Sequence, residues 1–327
     1  MTLVDRFGRP HHDLRISLTD RCSLRCTYCM PAEGVPWLAR STMLSTEEII
    51  RVARVGVENG ITEIRLTGGE PLLRVDVVDI VRRLTSLPGA PEVSLTTNAL
   101  RLPALAAPLK DAGLSRVNIS LDTLDRTRFM ELTRRDRLVE TLAGIAAADA
   151  AGLHPVKINA VAMRGVNDDE VVALTRFAVD HGYQMRFIEQ MPLDGGHTWD
   201  RTQMVTQAEI LDRLTSAFTL TEVESRGAAP AELWYVDGGP QTVGVIASVT
   251  APFCGACDRL RLTADGQLRA CLFSEAEVDT RQILRTGGAD EQLADAYRRC
   301  LAGKKAGHGI GEPGFHQPDR PMSAIGG

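Results

Sequence analysis

Between residues 13 and 218 the chain alternates short β-branched runs with longer stretches of helical periodicity, and it does so six times. The strand-like runs fall at 14–18, 63–67, 93–97, 116–121, 156–163 and 185–189, each followed by a loop and a helix. Such alternation predicts βα units on a parallel sheet. Ser45 with Glu48 and Thr206 with Glu209 have the spacing of a capping box, and Gly60, Gly113, Gly152 and Gly182 stand where helices should stop. Six units are too few to close a (βα)8 barrel, so the α/β sheet is either open and doubly wound or a partial barrel with a lateral gap. From 219 onward short strands at 219–223, 233–236, 243–249, 259–263 and 268–272 replace the alternation, with Asp265-Gly266 as a hairpin turn and a helix near 290–301. This predicts an α/β domain over 1–218 and a second, β-rich layer over 219–327, in which 303–327 lacks regular structure.

With 327 residues, 44% hydrophobic and 24% charged, the chain can bury a sizeable core, and neither disorder nor a membrane span fits. Its 37 basic and 42 acidic residues leave a net charge of −5, so no global positive field draws nucleic acid. Any anion site must be built locally. The first twenty residues lack the apolar run of a signal peptide and the Arg/Ser bias of a transit peptide, which makes a cytoplasmic protein the expectation.

Seven cysteines are an odd number for a disulfide framework, and six of them form two tight groups more than two hundred residues apart. Cys22, Cys26 and Cys29 lie in the loop after the first strand, spaced C-x3-C-x2-C with Tyr28 before the third. A cubane held by three thiolates keeps one iron free for a small ligand, whereas structural zinc closes its shell with four protein ligands, and this loop offers no fourth. Cys254, Cys257 and Cys271 form a second triad, which a zinc site completed by Cys300 or His308 would also explain. Arg259 and Arg261, on one face of the strand that follows, favour instead an open cluster beside an anionic, nitrogen-rich substrate. Cys300 reads as a buried helical residue, and His308 and His316 as residues of the tail without a metal role.

The C-x3-C-x-Y-C loop after the first strand resembles the radical S-adenosylmethionine (SAM) superfamily, and Gly68-Gly69-Glu70-Pro71 at the end of the second strand agrees with it. The resemblance implies an incomplete (βα)6-type TIM barrel whose first four-iron (4Fe-4S) cluster binds SAM and, once reduced, yields a 5′-deoxyadenosyl radical. With the second triad, the stretch 253–263 (FCGACDRLRLT) and the terminal Gly326-Gly327, the chain resembles the GTP-cyclising family within it, which opens molybdenum cofactor biosynthesis. That family converts GTP to its 3′,8-cyclo-7,8-dihydro derivative with two 4Fe-4S clusters. An external one-electron reductant and a downstream cyclic pyranopterin monophosphate synthase are the partners implied, and a monomer or a homodimer is equally compatible. By the same resemblance Arg15, Arg65, Thr96, Lys157, Arg259, Leu260 and Arg261 would hold GTP. Tyr28, Gly69, Ser120 and Met191 would contact SAM, and Arg259, Arg261, Gly326 and Gly327 would serve catalysis, the diglycine by entering the site.

The residues themselves point the same way. Polar side chains recur at strand ends, including Thr96 to Asn98, Ser120 to Asp122 and Glu189 to Met191, where α/β folds bind ligands. Lys157 and Asn159 share a strand face turned inward, and a buried lysine needs an anion. Ala99 follows Thr-Thr-Asn where the family commonly has glycine; a positive φ there would cost alanine about 1 kcal/mol, and a turn of another type is expected. Two other readings stay open: a radical SAM enzyme that modifies a peptide through an auxiliary cluster, and a non-enzymatic zinc or electron-transfer protein.

Overall fold

The computed structural model describes residues 2–224 and 226–326. The six expected strands are β1 (Asp13–Ser17), β2 (Glu63–Thr67), β3 (Glu92–Thr97), β4 (Arg116–Ser120), β5 (Lys157–Ala162) and β6 (Gln184–Glu189). They lie side by side in chain order, every pair parallel. Around them run α1 (Thr46–Glu58), α2 (Val77–Thr85), α3 (Leu102–Asp111), α4 (Arg126–Thr133), α5 (Leu138–Ala150), α6 (Val171–Asp180) and α7 (Gln207–Thr215). Both expected capping boxes form: Ser45 Oγ accepts from Glu48 N at 3.2 Å while Ser45 N donates back to Glu48 Oε2 at 2.8 Å, and Thr206 and Glu209 do the same for α7.

The C-terminal strands do not build a second layer. β7 (Leu220–Glu222), β8 (Glu232–Val236), β9 (Thr242–Ile246), β10 (Arg259–Leu262), β11 (Gln267–Arg269) and β12 (Val278–Asp279) extend the same sheet at both edges, in the order β12-β11-β10-β1-β2-β3-β4-β5-β6-β9-β8-β7. β9 runs parallel to β6 and β10 parallel to β1, so eight strands are parallel although six belong to βα units. An unpaired strand edge exposes a row of backbone donors and acceptors, and covering β1 and β6 satisfies them. β7 and β12 are not paired with each other, so the sheet curls without closing and the partial barrel keeps its gap. The curl brings Arg65 on β2 and Arg186 on β6 to one cavity, although four flat strand spacings would separate them by about 19 Å.

The strands alternate as the sequence expects. Leu14, Ile16, Leu260 and Leu262 face outward into one hydrophobic core with the helices, while Asp13, Arg15, Arg259 and Arg261 take the other face. α8 (Thr280–Arg285) and α9 (Asp290–Ala302) pack beside α1, where buried Tyr297 of α9 donates to Val52 O at 3.1 Å. The stretch from 303 is mostly irregular as expected, but it is not frayed. It ends in α10 (Met322–Ile325), with Ser323 and Ile325 buried and Gly326 O accepting from Arg261. Gly327 lies outside the described residues. Among the described residues no helix is long and apolar enough to cross a membrane.

Ala99 departs from expectation, for it does adopt a left-handed conformation, φ +68°. In that conformation its carbonyl and methyl lie against the backbone of Gly144 on α5, so close that a side chain at 144 would collide with both.

Candidate active site

The first triad hangs from the top of β1. Gly68 and Gly69, at the end of β2, lie so close to the backbone of Thr19, Asp20 and Arg21 that a Cβ at either position would collide with it. Gly69 N donates to Thr19 O and Glu70 N to Arg21 O, both at 2.7 Å. The close approach that two glycines allow is therefore first of all to the cysteine loop. Glu70 is buried; it accepts from Thr97 Oγ1 and Asn98 N at 2.8 Å and from Leu72 N at 3.0 Å. Asn98 passes this order on to Cys22 Sγ, 3.8 Å from its Nδ2, and to Ser23 Oγ at 3.0 Å. On the far side Tyr28 donates to Asp122 Oδ2 at 2.8 Å, and Asp122 Oδ1 accepts from Val161 N at 2.8 Å. Burial raises Glu70 and Asp122 to about 6 against the pull of these hydrogen bonds.

Burial also pushes the thiols of Cys22 to about 11 and Cys29 to about 12, and Cys26 well above its usual range. Three buried thiols that resist ionisation in the bare protein become thiolates when a metal supplies the positive charge. Among the described residues no three His, Cys, Asp or Glu side chains gather around a point tightly enough to hold one ion. Three thiols leave a zinc shell one protein ligand short, whereas a cubane takes three thiolates and keeps one iron open, so this donor set fits a cubane.

The second triad starts at a short 3-10 turn, Cys254–Ala256, and is completed by Cys271, just past β11. Burial opposes ionisation of Cys257, but Arg259 and Lys304 outweigh it and bring that thiol down to about 7. Cys254 is raised by burial. His308 stands beside the triad, contrary to its reading as a mere tail residue. Both its ring nitrogens are nonetheless engaged, Nε2 with Ser248 O at 2.7 Å and Nδ1 with Ile310 N at 3.1 Å, which leaves none for a metal. Cys300 is 4% exposed and belongs to the hydrophobic core, as expected.

One cavity of about 310 Å³ joins the two triads. All six cysteines line it, together with Arg15, Tyr28, Arg65, Gly69, Thr96, Ser120, Met191, Arg259 and Arg261. Among the described residues, three of the expected ones do not. Leu260 pairs with Leu14 and sends its side chain into the core, because strand alternation turns it away from its two arginine neighbours. Lys157 sits deeper, registered with Asn118 and Gln184, below the level of Asn159. Gly326 caps the site from the tail, where a Cβ would lie 2.5 Å from Thr67 Oγ1.

Register builds the floor of the cavity. Arg261, Arg15 and Arg65 are consecutive partners across β10, β1 and β2, and Arg186 partners Asn159 across β6 and β5. These arginines sit mid-strand, not at strand ends. Asp13 is a counter-charge to Arg15, 3.6 Å away, and also acts on Arg65 and Arg261. Burial and mutual repulsion lower Arg15 well below its ordinary range, Arg261 to about 10, Arg186 to about 9 and Lys157 to about 7. A buried group of cations this crowded is complementary to a polyanion. Arg186 was missed in the sequence; the alternation of Gln184, Arg186 and Ile188 against buried Met185 and Phe187 was the available signal. Glu189, by contrast, is used up. It accepts from Gln207 N and Thr250 N at 2.9 Å, from Val249 N at 2.8 Å and from Thr250 Oγ1.

A partial barrel whose first strand carries three open thiols at its C-terminal end defines a radical SAM protein. The Radical SAM superfamily model matches residues 16–178 and the Molybdenum Cofactor Synthesis C model residues 183–310. In fold the chain is similar to Streptococcus suis SuiB bound to S-adenosylmethionine, with a TM-score of 0.61 at 14% identity over 90% of this chain and 69% of that one. Curated relatives named GTP 3′,8-cyclase include those of Streptomyces coelicolor, 57% identical over 99% of this chain and 96% of its own length, and Corynebacterium glutamicum, 55% identical over 99% and 89%. The chain belongs to the GTP 3′,8-cyclase family.

Proposed function

We propose that this cavity converts GTP to (8S)-3′,8-cyclo-7,8-dihydroguanosine 5′-triphosphate, the first step of molybdenum cofactor biosynthesis. The observation that carries the reading is the pairing of two three-thiol sites across one cavity floored by arginines. A 4Fe-4S cluster held by Cys22, Cys26 and Cys29 with SAM beside it would supply a 5′-deoxyadenosyl radical for removal of the ribose 3′ hydrogen; bonding of C3′ to guanine C8 opens the C8=N7 double bond, and one further electron from the external reductant and a proton complete the 7,8-dihydro product. The remaining work belongs to the chain. Arg15, Arg65 and Arg186 would neutralise the triphosphate, with Lys157 adding its charge from beneath the floor and Thr96 on the strand between, and Arg259 and Arg261 would bracket the nucleotide near the second triad. Cys254, Cys257 and Cys271 would carry a second 4Fe-4S cluster whose open corner takes the base, which leaves C3′ and C8 close together and is catalysis by positioning. Tyr28, Gly69, Ser120 and Met191 would contact SAM. Gly326, held by Arg261 and lacking a side chain, lets the tail close over the site.

An external one-electron reductant and a synthase that consumes the product are the partners this chemistry requires. Anaerobic incubation of the reconstituted chain with GTP, SAM and dithionite should yield 5′-deoxyadenosine and a cyclised nucleotide, with about eight irons per chain. Arg261→Ala should lose GTP turnover while partly retaining SAM cleavage; unchanged turnover in that variant would discredit the substrate site.

A further inference from the structure

Lys304 is the first residue beyond Gly303, which ends α9, and its ammonium is buried, with the residue 3% exposed. A lysine ammonium has three N–H donors. Here they meet Arg259 O at 2.7 Å, Ala270 O at 2.9 Å and Cys257 Sγ at 3.5 Å. The two carbonyls are not arbitrary: Arg259 stands two residues after Cys257, and Ala270 immediately precedes Cys271. One cation therefore ties together two arms of the second triad.

The third arm is held from the next two residues. Arg9 Nη1 donates to Cys254 O at 2.6 Å and Ala306 O at 3.1 Å, and its Nη2 to Lys305 O at 2.9 Å. Asp5 Oδ2, 2.6 Å from Arg9 Nε, fixes that guanidinium. Residues 304–306 are thus stapled to all three cysteine segments. The charged groups that act most strongly on the Lys304 ammonium are the thiols of Cys257 and Cys271, which favour it, and the Arg259 guanidinium, which opposes it. A buried cation beside another cation and neutral carbonyls is unfavourable unless an anion compensates it. Thiolates on Cys257 and Cys271 are the anions within reach.

We infer that Lys304 is a positioning residue for the second iron–sulfur cluster, its ammonium serving as counter-charge to the Cys257 thiolate and holding the Cys257 and Cys271 segments in one arrangement. The inference rests on the two-cluster reading above. A fixed positive charge beside a cluster favours its more negative, reduced form, so removing the charge should make the cluster harder to reduce.

The test uses the full-length chain with Cys22, Cys26 and Cys29 replaced by serine, so that every iron and every signal belongs to the second site. Iron content and an electron paramagnetic resonance redox titration are measured for this parent, for Lys304→Met, which keeps the length and loses the charge, and for Lys304→Arg. The parent should hold about four irons. In Lys304→Met the reduced-to-oxidised ratio at a given solution potential should fall about tenfold, which is about 59 mV for a one-electron couple, or the iron should be lost. Lys304→Arg should recover most of either effect. An iron-free parent would overturn the two-cluster reading itself. A loaded parent with an unshifted, fully loaded Lys304→Met variant would overturn the inference alone, and equal losses in the Met and Arg variants would do so by showing that packing, not charge, matters.

Discussion

At the residue scale the most informative side chain is Lys157. Burial and three neighbouring arginines hold it near 7 in place of 10.5, so above neutrality it is largely uncharged until a polyanion arrives. Binding of a triphosphate should restore its proton, so binding is linked to proton uptake between the free and the bound pKa. Affinity is then fullest below pH 7 and falls as pH rises above it. Calorimetry in buffers of different ionisation enthalpy, between pH 7.5 and 9, should record uptake of up to about one proton on binding a non-reacting GTP analogue. Lys157→Met should abolish most of it. Gly144 illustrates the opposite case, a residue whose importance lies in what it lacks. Since a methyl there would strike the Ala99 carbonyl, Gly144→Ala should cost about 2–3 kcal/mol in denaturant unfolding, the upper range for overpacking, because backbone on both sides has nowhere to move.

At the element scale β6 is the strand on which the most depends. Its inner face supplies Arg186 to the cavity, and its last residue, Glu189, fastens the N-terminus of α7 and the loop after β9. Three backbone donors and a hydroxyl converge on one buried carboxylate, and charge-assisted hydrogen bonds of this kind are the stronger ones. Glu189→Gln turns an amide against those donors and leaves at least one unsatisfied. The expected loss is about 2–3 kcal/mol of stability, with a lowered melting temperature but an unchanged SAM-cleaving site. A variant as stable as the parent would show that the junction relaxes around the amide. The cysteine loop teaches a related lesson: Gly68 and Gly69 were legible as a motif, yet what they approach, the backbone at Thr19–Arg21, depends on β1 and β2 being neighbours.

At the scale of the whole molecule, residues beyond 218 complete the sheet that the first part begins. β9 and β10 cover the two edges of the six-stranded core and bring the second triad over the first. A fragment ending at 218 would expose both β1 and β6 as bare edges and the outward faces that α8 and α9 cover. It should therefore be insoluble or aggregate, as judged by size-exclusion chromatography; a monodisperse, cooperatively unfolding fragment would contradict this.

Sequence alone determined the six βα units, because alternating periods of two and 3.6 are local properties, and it determined both thiol triads, because their ligands are near in sequence, within one loop for the first and across one hairpin for the second. It also pointed to Arg259 and Arg261, neighbours on one strand face. The joining of the C-terminal strands to both edges, the alignment of Arg261, Arg15 and Arg65, the depth of Lys157 and the clamp made by Lys304 were decided by tertiary structure. Each depends on which strands become neighbours and in what register, and pairing across hundreds of residues leaves no period in the chain. Leu260 shows the limit most plainly: a motif places it among site residues, and the pleat turns its side chain into the core.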